Sequence, residues 1–179
     1  FPGTRLNYAE HLFRSARAGE VAVLHASESQ PLAQLTWDEL RDQVARCATG
    51  LRRLGVGRGD RVVAYMPNVP ETVVAFLATA SIGAIWSSCA PEFGVPTVVD
   101  RFAQIEPKVL LAADGYRYGG KDFDRTDRVR EIAAAIPSFE RTVMVPSGWD
   151  ELLREPAELS FEQVPFDHPL WVLNATATT

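Results

Sequence analysis

Short, almost continuously apolar segments alternate with helical segments through the middle of the chain. This alternation restricts the possible folds more than any other feature. Strands are predicted at 61–66, 84–89, 108–113 and 141–145, the first of which reads R-V-V-A-Y-M. Strands that are apolar on both faces are typical of parallel sheets that helices cover on both sides. The sequence therefore predicts an α/β fold, with a largely parallel sheet and helices on both of its faces.

The helices carry recognisable start signals. The helix predicted at 37–54 begins with T-W-D-E, in which Thr36 and Glu39 can form a capping box. Asn68 is predicted to cap the next helix, which has Pro70 in its first turn and ends near residue 81. Two more helices are predicted at 96–106 and 126–136.

Three parts are predicted along the chain. Residues 1–35 form a mixed segment that packs on the sheet, residues 36–146 form a βαβ core subdomain, and residues 147–179 form an irregular segment with a final strand. The smaller predicted elements of the outer parts are a hairpin at 21–24 and 32–35, a short helix at 149–153 and the strand at 169–173.

Composition excludes several classes of protein. The 179 residues are 46% hydrophobic and 23% charged, which is typical of globular chains and not of disordered ones. A net charge of −5 argues against a general nucleic-acid binder. Cys47 and Cys89 are too far apart in sequence for a C-x-x-C metal site. Neither a membrane-spanning apolar run nor a signal-peptide pattern is found in the sequence, so a cytoplasmic protein is expected.

Several motifs that could suggest a function are better interpreted as ordinary structure. The run G-V-G-R-G-D at 55–60 follows a helix and precedes a strand, whereas dinucleotide-binding loops follow a strand and open a helix. The three histidines, His11, His25 and His168, lack a metal-binding spacing, and no G-x-S-x-G motif supports a catalytic triad. The sequence therefore predicts no metal ligands.

The polar loop predicted at 114–124 is a stronger candidate. It follows the carboxyl end of a strand, where open α/β sheets bind ligands. Gly119 and Gly120 allow close approach of a ligand to the backbone, and Arg117 and Lys121 suit a phosphate. The alternative is a flexible, solvated loop with ordinary charges.

Six phrases taken together resemble one family. They are L-N-Y-A-E-H-L at 6–12, L-T-W-D-E-L at 35–40, L-G-V-G-R-G-D-R-V at 54–62, M-P-N-V-P-E at 66–71, A-S-I-G-A-I-W-S-S-C at 80–89 and D-G-Y-R-Y-G-G-K-D-F at 114–123. Over residues 1–173 the chain resembles the N-terminal region of the adenylate-forming acyl-CoA synthetases. The first, fifth and sixth phrases favour the members that activate acetoacetate over those that activate acetate.

The resemblance implies a two-step ligase reaction. The carboxylate of the acid attacks the α-phosphate of ATP in the presence of Mg²⁺ and forms an acyl-adenylate and pyrophosphate. The thiol of CoA then attacks the activated carbonyl and releases AMP. The family's other catalytic and metal-binding motifs come later in its chains. This chain is therefore expected to be an N-terminal portion, with no catalytic residue, inactive without the remainder of the synthetase.

The resemblance also implies two sets of binding residues. W-V-L at 171–173 aligns with the strand before the family's phosphate loop, so Thr176, Thr178 and Thr179 are predicted to bind the nucleotide, although Asn174, Ala175 and Ala177 depart from the family's pattern. The loop at 114–124 resembles the region that reaches the phosphates of CoA in related synthetases. Lys121 is the first candidate for this contact and Arg117 the second.

Two alternatives remain open at this stage. The parent enzyme could activate another short-chain acid, such as acetate or propionate, because the acyl pocket lies outside these residues. The chain could also be a non-catalytic α/β module that binds CoA or a nucleotide. The sequence predicts no membrane or nucleic-acid partner for either alternative.

Overall fold

The computed structural model describes residue 1 and residues 3–174. Its elements, in chain order, are β1 (Arg5–Leu6), α1 (Tyr8–Phe13), β2 (Val21–Ser27), β3 (Gln30–Thr36), α2 (Trp37–Arg53), β4 (Arg61–Tyr65), α3 (Pro70–Ser81), β5 (Ile85–Cys89), α4 (Val95–Ala103), β6 (Val109–Ala113), β7 (Gly115–Tyr118), β8 (Lys121–Asp124), α5 (Thr126–Ala135), β9 (Arg141–Val145), α6 (Trp149–Leu152) and β10 (Val164–Pro165).

The centre of the structure is a four-stranded sheet in the order β5-β4-β6-β9. Every neighbouring pair is parallel, with Val63 of β4 opposite Ser87 of β5 and Leu110 of β6, and Leu111 of β6 opposite Val143 of β9. Parallel neighbours need long connections, and here helices α3, α4 and α5 lie in those connections. The four predicted strands and the parallel sheet are confirmed.

Side chains of the sheet enter two separate cores, because successive residues of a strand point to opposite faces. Val62 and Ala64 of β4 pack in the core that includes residues of α2, α3 and α6. Val63 and Tyr65 pack in the opposite core, with residues of α4 and α5. All four are fully buried. This double burial explains why the strand is apolar throughout, and the predicted α/β fold with helices on both faces is confirmed.

Helix starts follow the sequence signals with one exception. Thr36 and Glu39 form the predicted capping box at the start of α2. At α3, however, the N-cap is Val69, which makes no side-chain cap hydrogen bond, so the prediction of Asn68 as the cap is wrong. Pro70 occupies the first turn, where its fixed φ favours the helix without any side-chain cap.

The segment predicted as a polar loop at 114–124 is instead the antiparallel hairpin β7–β8. Its turn residues Gly119 and Gly120 have φ of 60° and 73°, the combination that closes a two-residue hairpin with the correct twist. Tyr116 and Phe123 face each other across the strands with ring centroids 5.1 Å apart. The prediction of a polar loop without strands was wrong because the charged residues obscure the short alternation of the two strands.

The outer parts of the chain contact each other. The unpredicted strand β1 pairs with β10, which joins the first of the three predicted parts to the third. The predicted strand at 169–173 makes one parallel bridge, between Trp171 and Trp86 at the edge of β5. The backbone N–H of Trp86 donates to Leu170 O (3.0 Å), and that of Val172 donates to Trp86 O (2.8 Å). The division at residues 35 and 146 stays a prediction.

Candidate functional site

A cavity of about 460 Å³ opens at the carboxyl ends of three sheet strands. Met66 follows β4, while Ala113 and Val145 end β6 and β9, and all three line the cavity. The hairpins β2–β3 and β7–β8 contribute further lining residues, including Ser27 and Arg117. Open α/β sheets bind their ligands outside the carboxyl ends of the strands, so the cavity occupies the expected place.

The two predicted CoA-binding residues lie on neighbouring strands at the end of the β7–β8 hairpin. Lys121 is exposed and opposite Tyr118, while Arg117 is opposite Asp122. Arg117 is already engaged, since its guanidinium donates to the Asp122 carboxylate at 2.9 Å and to Gly120 O at 3.2 Å. In the described part of the chain, no carboxylate oxygen lies within 4.0 Å of the Lys121 ammonium.

The glycine turn between these strands binds an anion that belongs to the chain itself. The backbone N–H of Gly119 donates to one carboxylate oxygen of Glu28 at 2.7 Å, and that of Gly120 donates to the other at 2.8 Å. These hydrogen bonds, followed by the charge of Arg117, lower the pKa of Glu28 below its ordinary value of 4.5. The turn therefore already accommodates a negative charge.

Arg125 organises the base of the same hairpin, and sequence reasoning missed it. Its side chain is buried, its guanidinium lies 4.8 Å from the centroid of the Tyr116 ring, and its Nη2 donates to the Tyr116 hydroxyl at 2.8 Å. Its Nε donates to Pro91 O at 2.8 Å. Arg125 thus links the hairpin to the segment that follows β5. The aromatic pair of the hairpin was the available signal, because the faces of aromatic rings attract a guanidinium group.

The buried side chain of Tyr65 also contacts the segment that follows β5. The Tyr65 hydroxyl at the end of β4 lies 2.7 Å from Pro91 O and 2.8 Å from Phe93 O, which are positioned to accept its proton. Burial raises the pKa of Tyr65, although the nearby Arg128 and Arg125 oppose this shift. Tyr65 is therefore a structural donor at neutral pH.

The remaining predicted site residues are not placed by the structure. Thr176, Thr178 and Thr179 lie outside the described residues, so their prediction as nucleotide-binding groups stays a prediction. Among residues 1 and 3–174, no group of three or more His, Cys, Asp or Glu side chains could hold a metal ion. Burial raises the pKa of both Cys47 and Cys89, which disfavours a reactive thiolate at either position. In the same residues, no helix has the length and apolar character needed to cross a membrane.

Residues 13–172 match the family model of the AMP-binding enzymes. The match covers most of the chain, which therefore belongs to this family. The chain is similar to acetoacetyl-coenzyme A synthetase of Rhizobium meliloti, with 44% identity over all of this chain and 30% of the relative. It is also similar to the acetoacetyl-CoA synthetase of Rattus norvegicus, with 39% identity and the same two coverages.

Solved structures agree with this placement. The acetoacetyl-CoA synthetase from Streptomyces lividans matches with a TM-score of 0.94 and 51% identity, covering all of this chain and 30% of that one. An acyl-CoA synthetase of Brucella canis matches with a TM-score of 0.82 and 21% identity over 99% of this chain and 32% of that one, which supports the fold alone. The resemblance deduced from the sequence is confirmed, and the chain spans about 30% of the length of the curated relatives it matches.

Proposed function

We propose that this chain is the N-terminal part of a ligase that converts acetoacetate, ATP and CoA into acetoacetyl-CoA, AMP and pyrophosphate. The observation that carries the proposal is the match, over the whole chain, to an acetoacetyl-CoA synthetase with 51% identity and a TM-score of 0.94. We also propose that the protein is cytoplasmic.

The chemistry requires control of negative charge at each step. An acetoacetate oxygen bonds to the α-phosphorus of ATP while the bond to pyrophosphate breaks, and the CoA sulfur then bonds to the acyl carbon as AMP leaves. Mg²⁺ bound with ATP would screen the phosphate charges. No residue of this chain is assigned to the metal. The proposed contributions of this chain are binding ones, from Thr176, Thr178 and Thr179 to the nucleotide and from Lys121 and Arg117 to CoA.

The geometry of the β7–β8 hairpin supports a larger role for Lys121 than for Arg117. Arg117 shares its charge with Asp122 across the strands. Lys121 is exposed at the same end of the hairpin, beside two backbone N–H groups that already face an anion. Tyr118, with 69% of its surface exposed, adds an aromatic face at the same place. A nucleotide phosphate fits this combination of charge and donors.

Calorimetric titration of the chain with CoA tests the binding role. Lys121→Ala should weaken CoA binding by about ten- to 150-fold, because hydrogen bonds to charged groups contribute roughly 1.5–3 kcal/mol. Arg154→Ala is the matched control. It also removes one positive charge, but at a position that follows α6, and this variant should bind CoA as the unmodified chain does. Equal affinities of all three proteins would contradict the assignment of Lys121.

Assays of product formation test the reaction itself. The purified chain should form no acetoacetyl-CoA from acetoacetate, ATP, Mg²⁺ and CoA, whereas the full-length parent should form it faster than acetyl-CoA from acetate. Product formation by the chain alone would refute its assignment as a part of the enzyme. A parent that prefers acetate would refute the proposed acid.

A further inference from the structure

Two consecutive backbone N–H groups of the β7–β8 turn point at a single carboxylate. Both Gly119 and Gly120 have positive φ, and their N–H groups reach the two oxygens of Glu28 at 2.7 and 2.8 Å. Successive N–H groups that converge in this way form a concave anion site, or nest. Here the anion is the side chain of Glu28, which comes from a distant part of the sequence.

Glu28 is not needed to close the turn to which it belongs. The Ser27 hydroxyl oxygen accepts the backbone N–H of Ser29 at 3.3 Å and that of Gln30 at 3.1 Å, so the β2–β3 turn is closed by its own hydrogen bonds. Glu28 is also exposed, so apolar packing does not fix its carboxylate. The contact between the two hairpins can therefore break without unfolding either of them.

The groups around the nest favour an anion with more charge than a carboxylate. Arg117 lies close enough to help lower the pKa of Glu28, and Lys121 directly follows the turn. A phosphate monoester carries a charge of about −1.5 to −2 and three acceptor oxygens, and so satisfies two N–H groups and a nearby cation together.

We propose that Glu28 is an internal competitor at the Gly119–Gly120 turn: it occupies the two backbone N–H groups in the absence of ligand, and the phosphate already assigned to this turn must displace it. The identification of this phosphate as one of CoA's rests on the proposed function. Displacement frees the tip of one hairpin from the other at the cavity, since Ser27, Ser29 and Tyr118 all line it. Glu28 is thus an internal competitor that lowers the apparent affinity of the site.

Amide signals of Gly119 and Gly120 in ¹H–¹⁵N NMR spectra test the competition directly, with inorganic phosphate as the probe. Glu28→Gln should shift both signals before any ligand is added. It should also bind phosphate on the order of tenfold more tightly than the unmodified chain, because the competing state is weakened. Glu28→Ala should change both readouts in the same direction. Glu155→Gln, which makes the same charge change beside Arg53, should leave both signals and the affinity unchanged.

Two results would overturn the proposal. One is a phosphate affinity of Glu28→Gln and Glu28→Ala that equals that of the unmodified chain. The other is a failure of the two glycine signals to respond to phosphate in either variant.

Titrations with CoA and dephospho-CoA then identify the source of the phosphate. A response of the two glycines to CoA, absent with dephospho-CoA, supports the proposal with the 3′-phosphate as the ligand group. Equal responses support it with the diphosphate as the ligand group. If inorganic phosphate shows the Glu28 effect while CoA binds neither protein, the anion site is supported and the proposed CoA function of the hairpin fails.

Discussion

At the scale of single residues, the carboxylate of Glu28 joins the β2–β3 hairpin to the β7–β8 hairpin by a contact that depends on its ionisation. Its carboxylate accepts two backbone N–H groups, from Gly120 and Gly119, and these are the main cause of its lowered pKa. A carboxyl group whose pKa is lower in the folded chain than in the unfolded chain stabilises the folded state at pH values above its unfolded pKa. That stabilisation disappears as the pH falls through the folded value. The contact should therefore persist through the neutral range and weaken in acid.

The pH dependence can be measured at the turn itself. The amide proton shifts of Gly119 and Gly120 should stay constant from pH 7 to near 5 and change with a midpoint below 4.5, the ordinary value for Glu28. In Glu28→Gln the same signals should show no transition with that midpoint. A midpoint at or above 4.5 in the unmodified chain would show that the carboxylate does not accept these hydrogen bonds.

Gly50 shows how closely two helices approach. A Cβ atom added to Gly50 of α2 would lie 2.2 Å from Leu152 O and 2.8 Å from Leu152 Cδ1, both in α6. Gly50→Ala should therefore lower the free energy of unfolding by about 1–3 kcal/mol, the usual cost of overpacking. Urea denaturation gives this value. Gly57→Ala is the control, since its Cβ would come no closer than 3.9 Å to Asp60 Oδ2 and should cost little.

At the scale of secondary-structure elements, the capping box joins strand β3 to helix α2. The Thr36 hydroxyl oxygen accepts the backbone N–H of Glu39 at 3.3 Å, and the Glu39 carboxylate accepts the backbone N–H of Thr36 at 2.8 Å. Thr36 is the last residue of β3 as well as the N-cap of α2. The cap therefore fixes the direction in which the chain leaves the hairpin.

Removing this cap should have a measurable cost. Thr36→Ala should lower the free energy of unfolding by about 0.5–2 kcal/mol, the range found for N-cap replacements. Thr97→Ala is the matched control, because Thr97 is an exposed residue inside α4, where alanine favours the helix. Equal stability of the two variants in urea denaturation would show that the capping box does not stabilise α2.

The elements of the sheet could be predicted because strands that are buried on both faces are apolar at almost every position. The strand at 61–65 is apolar after its first residue, since each side chain enters one of two cores. The β7–β8 hairpin has no such apolar run, because its strands are largely exposed. Only Tyr116 and Phe123 are packed together in it, and its other residues are mostly charged. Local pattern reveals an element most clearly where much of it is buried.

At the scale of the whole molecule, the candidate site shows the same limit. Arg117 and Lys121 could be selected because they flank two glycines in a single short stretch. Glu28 lies 91 residues from Gly119, so only the folded chain shows that its carboxylate fills the turn. Arg125 reaches Pro91 across 34 residues in the same way. Contacts between distant segments depend on the positions of the hairpins relative to the sheet. Local patterns in a single sequence do not reveal these positions.

Asn7 joins three distant parts of the molecule. Its Nδ2 donates to Ala80 O at 2.8 Å and Ser81 O at 3.3 Å, at the end of α3, and to Glu162 O at 2.9 Å. Its Oδ1 accepts the backbone N–H of Ala9 at 2.9 Å and so caps α1. The side chain is 2% exposed, so each of these bonds is made away from water. The amide is suited to the position because it supplies donors and an acceptor at once.

Asn7→Asp should therefore destabilise the whole chain, although it preserves the shape of the side chain and the cap on α1. One carboxylate oxygen would face the carbonyl oxygens that Asn7 Nδ2 now satisfies, with no proton between them. We expect the free energy of unfolding at pH 7 to fall by at least about 2 kcal/mol, because a buried charge is left unpaired. The destabilisation should be smaller at pH 5 than at pH 7, since a protonated carboxyl group can donate again.

Asn68→Asp, at an exposed position, is the matched control, and its free energy of unfolding should stay within about 0.5 kcal/mol of that of the unmodified chain. Urea denaturation at both pH values separates these outcomes, and equal stability of the two variants would mean that the Asn7 donors do not hold the three segments together.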